Sequence, residues 1–175
     1  GRSPLLQAQR LLDRSLKRRL EPRTAGPAAR LRTIETLAMA GIPVSVLVAP
    51  VIPKINDHEL EAILEAARDH GARSAAYIFL RLPREVAQLF ADWLEHHYPD
   101  RARAVMSLVR QSRGGRNYDA RFGERMRGTG PFAGLIRHRF LTAARRLGLD
   151  QRSVDLDTSQ FARPPRAGDQ LALFA

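Results

Sequence analysis

The sequence predicts an α/β fold built on parallel strands, and three observations carry that reading. Two short apolar runs, residues 44–48 and 75–80, are rich in β-branched or aromatic residues and too brief for helices. Each follows a segment whose apolar residues recur at helical spacing. The joints between them are a few residues long and marked by Gly or Pro, the pattern of a βαβ unit.

Each element follows from its residues. Residues 1–19 place Leu5, Leu12 and Leu16, with Leu20 just after, at helical spacing beside a dense basic face. Glu21-Pro22-Arg23 breaks that pattern, and Pro27 suits the first turn of a second helix, where its missing N–H costs nothing. Leu31, Ile34, Leu37 and Ala38 form the inner stripe of that helix, and Gly41 is a good residue to end it. A strand over 43–49 follows. Pro50 and Pro53 are expected to stop its ladder, because proline has no N–H to donate. Asn56 is expected to cap a helix over 57–70, with Glu59 completing a capping box, and Leu60, Ile63, Leu64 and Ala67 line its inner face. Gly71 ends that helix. Residues 75–80 are expected to form a second strand buried on both faces, closed by Arg81-Leu82-Pro83. Pro83 then opens a helix carrying Val86, Leu89, Phe90, Trp93 and Leu94.

Past Tyr98-Pro99 the pattern is helical only. Asp100 is expected to cap a helix with Ala102, Val105, Met106 and Val109 inward. After an irregular stretch over 113–130, a long helix over 131–147 carries Phe132, Leu135, Ile136, Phe140 and Ala143 on its apolar stripe. The tail from Gln151 is Pro-rich and polar, expected to be loosely ordered. The organisation expected is therefore an α/β portion over 1–98, a basic helical extension over 99–150 and a flexible tail over 151–175. Two strands alone make a poor parallel sheet, so the fold is expected to continue in residues on the N-terminal side or in a partner chain.

The chain has 175 residues, 44% of them hydrophobic, enough for a real core. Cysteine is absent, which excludes disulfides, thiolate metal sites and a Cys nucleophile within these residues. No apolar run reaches the length of a membrane span, and a cytoplasmic location is the simplest expectation. The formal charge of +11 is uneven: residues 101–150 hold 12 Arg against Asp119, Glu124 and Asp150, which is 12 − 3 = +9. Such a localised field suits a polyanion such as nucleic acid, while solvated arginines on helix faces are the plainer alternative. Adjacent His96 and His97 diverge by about 100° on a helix and cannot chelate together. Neither His58 nor His70 has ligand-like neighbours, so no metal site is expected.

Several motifs in order resemble radical S-adenosylmethionine proteins of the spore-photoproduct-lyase-like group. They are Leu20-Glu-Pro-Arg23, Gly41-Ile-Pro-Val44, Ala49-Pro-Val-Ile-Pro53 with Asp57, Leu80-Arg-Leu-Pro83, Arg113-Gly-Gly115, Tyr118-Asp119, Arg121-Phe-Gly123 and Arg125-Met-Arg-Gly-Thr-Gly-Pro131. The resemblance spans roughly residues 12–174. It implies the C-terminal part of a partial (β/α)6 TIM-like barrel followed by a helical extension. In that family a C-x3-C-x2-C loop holds a 4Fe-4S cluster that binds S-adenosylmethionine, and a 5′-deoxyadenosyl radical abstracts hydrogen. This sequence lacks the cysteine loop, the first strands and their glycine-rich contacts. Residues 1–10, where the fourth strand is expected, have no strand character. Taken alone, the chain is not expected to perform the radical reaction.

The resemblance places Val48, Ala49 and Pro50 at the fifth-strand end, against the adenine of the cofactor, although Ala49-Pro50 could equally serve only to shape a turn. It places Arg81 at the sixth-strand end, where it would meet a carboxylate or substrate anion or pair with a neighbouring loop. In the 113–130 loop, Arg113, Arg116, Arg121, Arg125 and Arg127 alternate with glycines and with Tyr118 and Phe122. Arginines pair with phosphates and aromatics stack on bases, so a substrate or nucleic-acid contact is one expectation and a packing loop the other. Gln170-Leu171-Ala-Leu173-Phe174 resembles the peptide by which bacterial replication and repair proteins bind the DNA sliding clamp; an apolar tail docking on its own domain is the alternative.

Overall fold

The computed structural model describes residues 14–150. In chain order these form α1 (Arg14–Leu20), α2 (Pro27–Met39), β1 (Ser45–Val51), a 3-10 turn (Asp57–Glu59) running into α3 (Leu60–Asp69), β2 (Ser74–Phe79), α4 (Val86–His97), α5 (Pro99–Gln111) and α6 (Gly130–Arg146). The molecule is thus mixed α/β, with two parallel strands and six helices among the described residues. Leu5 and Leu12, the tail over 151–175 and its Gln170–Phe174 peptide lie outside them.

The strands pair in register from Ser45 opposite Ser74 to Val48 opposite Tyr77, and the register then shifts before Val51 meets Phe79. Pro50 sits within that shift. The strand therefore runs through Pro50 instead of stopping there, because an irregular register spares the N–H that proline lacks. The ladder is extended at both ends by Arg73 N–H donating to Val44 O at 2.9 Å and Leu80 N–H to Val51 O at 3.0 Å.

Two hydrophobic clusters hold the helices to this sheet. Ile34 of α2, Ile63 and Leu64 of α3, and Ile136 and Phe140 of α6 close over one face with Val46, Val48, Tyr77 and Phe79. Beyond the carboxyl ends of the strands, Leu16, Ile52, Leu80, Leu82, Phe90, Leu94, Val105 and Val109 form the second. Helices α5 and α6 contribute to these same clusters, so the 99–150 segment is not a separate packing unit from the α/β portion.

Among the described residues no helix covers the other face of the sheet. Ala76 is exposed, and Leu47 and Ile78 are half-buried, contrary to the expectation of a strand buried on both sides. The reason is that among the described residues the covering helices all sit on one side. Tight joints set the helix positions. Gly71, at φ +97°, ends α3 so close to α2 that a Cβ there would lie 2.6 Å from the Ala38 Cβ. In α4 only Phe90 and Leu94 are buried, and Leu89 is 65% exposed; in α6 Leu135 is 51% exposed. Asp100 lies in the first turn of α5 and not at its cap.

The two edges of the sheet differ. The outer edge of β2 is occupied by main chain: Phe79 N–H donates to Met126 O at 2.8 Å, Ala75 N–H to Leu149 O at 3.0 Å, and Ser74 bridges Asp150 in antiparallel sense. Among the described residues no strand pairs with the outer edge of β1.

Candidate functional site

The loop after β1 is held from within by Asn56, only 3% exposed. Its Oδ1 accepts from Ile52 N–H at 2.6 Å, and its Nδ2 donates to Pro50 O at 3.0 Å. The side chain is thereby used up in the loop. No capping bond to the following helix forms, which corrects the expected capping box. The Ala49–Pro50 peptide bond is cis. Val48 belongs to the helix-side cluster, Ala49 is buried and Pro50 half-buried. Of the three residues expected against an adenine, Val48 therefore has its side chain committed to the core.

Arg81 follows β2. Its guanidinium donates to the Tyr118 hydroxyl at 3.0 Å, lies 5.5 Å from that ring's centroid, and reaches Met126 Sδ at 3.5 Å. No carboxylate among the described residues pairs with it, so the expected loop contact is aromatic and not a salt bridge.

The basic loop divides into separate roles. Arg113 is 1% exposed and donates to the carbonyls of Phe79, Leu80 and Glu124, with its guanidinium over the Phe79 ring. It is a strut that ties the loop to the end of β2, and burial removes it from the expected surface contacts. Burial, then the neighbouring Arg81 charge, pushes it below the ordinary guanidinium value. Arg121 is tied to Asp119 at 2.6 Å and to Glu124 at 2.7 Å. Its hydrogen bonds hold the Asp119 carboxyl down to about 2. Arg116, Arg125 and Arg127 have no carboxylate partner among the described residues; Arg125 stacks at 5.4 Å from the centroid of Phe122, which is 91% exposed.

Cavities lined by described residues lie at two separate places. One of about 530 Å³ lies where α3 meets β2, lined by Arg68, Gly71 and Arg73. The other, of about 410 Å³, lies where the basic loop enters α6, and its lining includes Tyr77, Arg127, Gly134 and Arg137. Tyr77 is 9% exposed, and its hydroxyl has no hydrogen-bond partner. Burial raises its pKa above the ordinary phenol value, against a smaller opposing pull from Arg127 and Arg137. Neither Tyr77 nor Arg137 stands out in the sequence as a site residue. The available signal is the helical spacing of Gly130, Ala133, Gly134 and Arg137, which puts small residues and one arginine on a single stripe. Among the described residues no three His, Cys, Asp or Glu side chains converge as a metal site, and no helix is long and apolar enough to cross a membrane.

No protein-family model matches the chain. No solved structure matches it either. An uncharacterized protein of Mycobacterium tuberculosis and one of Mycobacterium bovis are each 31% identical to it over 101 residues. That stretch is 57% of this chain but only 30% of each relative, so the chain matches less than a third of the length of the curated proteins it resembles.

Proposed function

We propose that the chain forms the C-terminal part of a radical S-adenosylmethionine barrel related to the spore-photoproduct-lyase-like group, working in the cytoplasm. The observation that carries the reading is the inequality of the two sheet edges. A partial barrel needs a last strand with a blocked outer edge and a preceding strand whose free edge continues the sheet, and among the described residues β2 and β1 fit those requirements. The open face bearing Leu47, Ala76 and Ile78 would then look into the barrel. The carboxyl ends of both strands, where Ala49-Pro50 and Arg81 stand, are where ligands of such folds bind.

The residues present do not fit the 4Fe-4S cluster itself. With no cysteine in the chain, its thiolates would come from outside these residues, and no chemical step is assigned to this chain. Its part is to bind and orient. The main chain at Val48 and the small side chains of Ala49 and Pro50 would form a wall for the nucleoside of S-adenosylmethionine, and Arg81 a cation for a carboxylate or substrate anion.

The test is to express the complete reading frame, reconstitute it anaerobically with iron and sulfide, reduce it, and assay 5′-deoxyadenosine. The complete protein is expected to form it, and the 175-residue chain is expected to bind no cluster and form none. A complete protein without a C-x3-C-x2-C segment, or a stoichiometric cluster on the short chain, would overturn the proposal.

A second reading, binding of nucleic acid, is favoured by Arg116, Arg125 and Arg127, which carry charge unmatched by any described carboxylate; binding of a sliding clamp would rest on the Gln170–Phe174 sequence alone. Replacing Arg116 and Arg125 by Ser should reduce the salt dependence of oligonucleotide binding by about two phosphate contacts. Pull-down with the clamp should be lost on Leu173→Ala with Phe174→Ala; unchanged or absent capture removes the clamp from consideration.

A further inference from the structure

We infer that the cavity at the start of α6 is a binding site for a phosphoryl group, formed by Tyr77, Arg127, Arg137 and the Gly128-Thr129-Gly130 entry to the helix. This does not rest on the barrel reading, because Tyr77 lies on the helix-covered side of β2, away from its open face.

Helix α6 has 17 residues, and Thr129 at its N-cap makes no side-chain capping bond. Thr129 N–H is used by Ser112 O at 3.0 Å, and Pro131 has no N–H, which leaves the amides of Gly130 and Phe132 as the uncapped donors of the first turn. The positive end of the helix dipole adds to them. Gly128, at φ +75°, brings the main chain in so tightly that a Cβ would stand 3.0 Å from Ser112 O. Loop and helix entry are thus pressed against the end of α5; Gly128 N–H is taken by Glu124 O at 2.8 Å, which leaves Gly130 as the uncommitted amide of this entry in the cavity lining.

A helix end alone would not suffice. The independent observation is Tyr77, which lines the cavity, is more than nine-tenths buried and has a hydroxyl without a hydrogen-bond partner. A buried donor without an acceptor is unfavourable unless something enters to accept from it. Arg127 and Arg137 line the same cavity, and neither has a carboxylate partner among the described residues. The one acid in the lining, Glu124, is charge-paired with Arg121 at 2.7 Å, although its Oε2 accepts no well-directed hydrogen bond.

Gly134 supplies the space. It sits inside α6, where glycine weakens a helix. A Cβ built there meets nothing within 4 Å, so packing does not require the glycine. Its missing side chain leaves the cavity unfilled. Two arginines, the uncapped Gly130 amide and a tyrosine whose hydroxyl lacks a partner line a cavity of about 410 Å³, and together they match the several oxygens and the charge of a phosphoryl group better than a single carboxylate.

The test is NMR titration of the ¹⁵N-labelled 175-residue chain at constant ionic strength with inorganic phosphate, a nucleoside 5′-monophosphate, and a dinucleoside monophosphate whose only phosphate is internal. Saturable shifts are expected at the amides of Gly128, Gly130 and Phe132 and at the side chains of Arg127 and Arg137. Preference for the monoester identifies a terminal phosphate, and equal or tighter binding of the internal diester a nucleic-acid strand. Tyr77→Phe should weaken binding about tenfold, the worth of one hydrogen bond to a charged acceptor. Gly134→Leu should abolish it with the rest of the spectrum in place; if that variant disturbs the fold, loss of binding in Arg127→Ser/Arg137→Ser supports the site equally. Failure of all three ligands to saturate these amides, or wild-type binding by the variants, overturns the inference.

Discussion

The guanidinium of Arg113 donates to the main-chain carbonyl of Leu80 at 2.8 Å from a position 1% exposed. One side chain from the end of α5 thus closes the end of β2, taking the Phe79 carbonyl at 3.3 Å and the Glu124 carbonyl at 3.0 Å as well. Arg113→Ala would leave buried carbonyls unpaired and should cost about 3 kcal/mol. Arg113→Lys should recover little, since an ammonium cannot span the same fork. Urea unfolding of the variants checks both statements, and a loss below about 1 kcal/mol for Ala would contradict the role.

Gly71 and Ala38 make a steric pair. An added methyl at Gly71 meets the Ala38 methyl at 2.6 Å and is also forced into a positive φ. Gly71→Ala should destabilise by about 2 kcal/mol. Adding Ala38→Gly relieves the clash but not the dihedral strain, and itself weakens α2. Partial rescue in a double-mutant cycle is the expected outcome, and strict additivity would show that the two sites do not touch.

Arg139 grips Glu61 with two hydrogen bonds, at 2.7 and 2.5 Å, and so links α6 to α3 across 78 residues of sequence. That contact lowers the Glu61 pKa from its usual 4.5, with the side-chain bond as the main cause. A carboxyl with a depressed folded-state value contributes stability that is complete above the unfolded value and lost as pH falls through the folded one. Solvent reaches the pair, so its worth should stay near 0.5–1 kcal/mol. The difference in urea midpoint between the natural chain and Glu61→Gln should be constant above about pH 5.5 and close as the pH drops below 4.5. A gap that persists unchanged in acid would rule the pairing out as its source.

Asp119 provides a sharper titration. Carboxyl ¹³C shifts should show it protonating near 2, well below the ordinary 3.8. Its contribution is therefore present above 3.8 and fades as pH falls toward 2, the same sign as for Glu61. Arg121→Gln removes the main cause and should return the midpoint most of the way to 3.8. An unmoved midpoint would assign the shift elsewhere.

Much of the frame is legible in the sequence, because it rests on local periodicity. The stripe Leu60, Ile63, Leu64 and Ala67 announces α3, and all four are buried as expected. The strands are legible from their composition, although β1 continues through Pro50 into an irregular register that composition does not encode. Asn56 shows a different limit. A residue suited to capping a helix is equally suited to bracing a loop, and only the approach of Ile52 N–H and Pro50 O decides between them. The inner face of α4 is overstated by periodicity because exposure of Leu89 depends on which elements cover that helix. The role of Arg113 depends on carbonyls more than 30 residues earlier. The cavity at α6 has the same cause: Tyr77 meets Arg127 and Arg137 only through the tertiary fold, and no local pattern joins them.

The main-chain cover along β2 also bears on how the protein can fail. Exposed strand edges are templates for joining further chains, and aggregation starts where an edge is free. Met126, Leu149 and Asp150 remove β2 from that hazard, so growth of the sheet is restricted to one direction. Among the described residues, an aberrant intermolecular ladder grown from the sheet would begin alongside β1, in the stretch Ser45–Val51, wherever no further strand of the protein covers it, and lysine or proline placed on that edge is where protection from self-association should be sought.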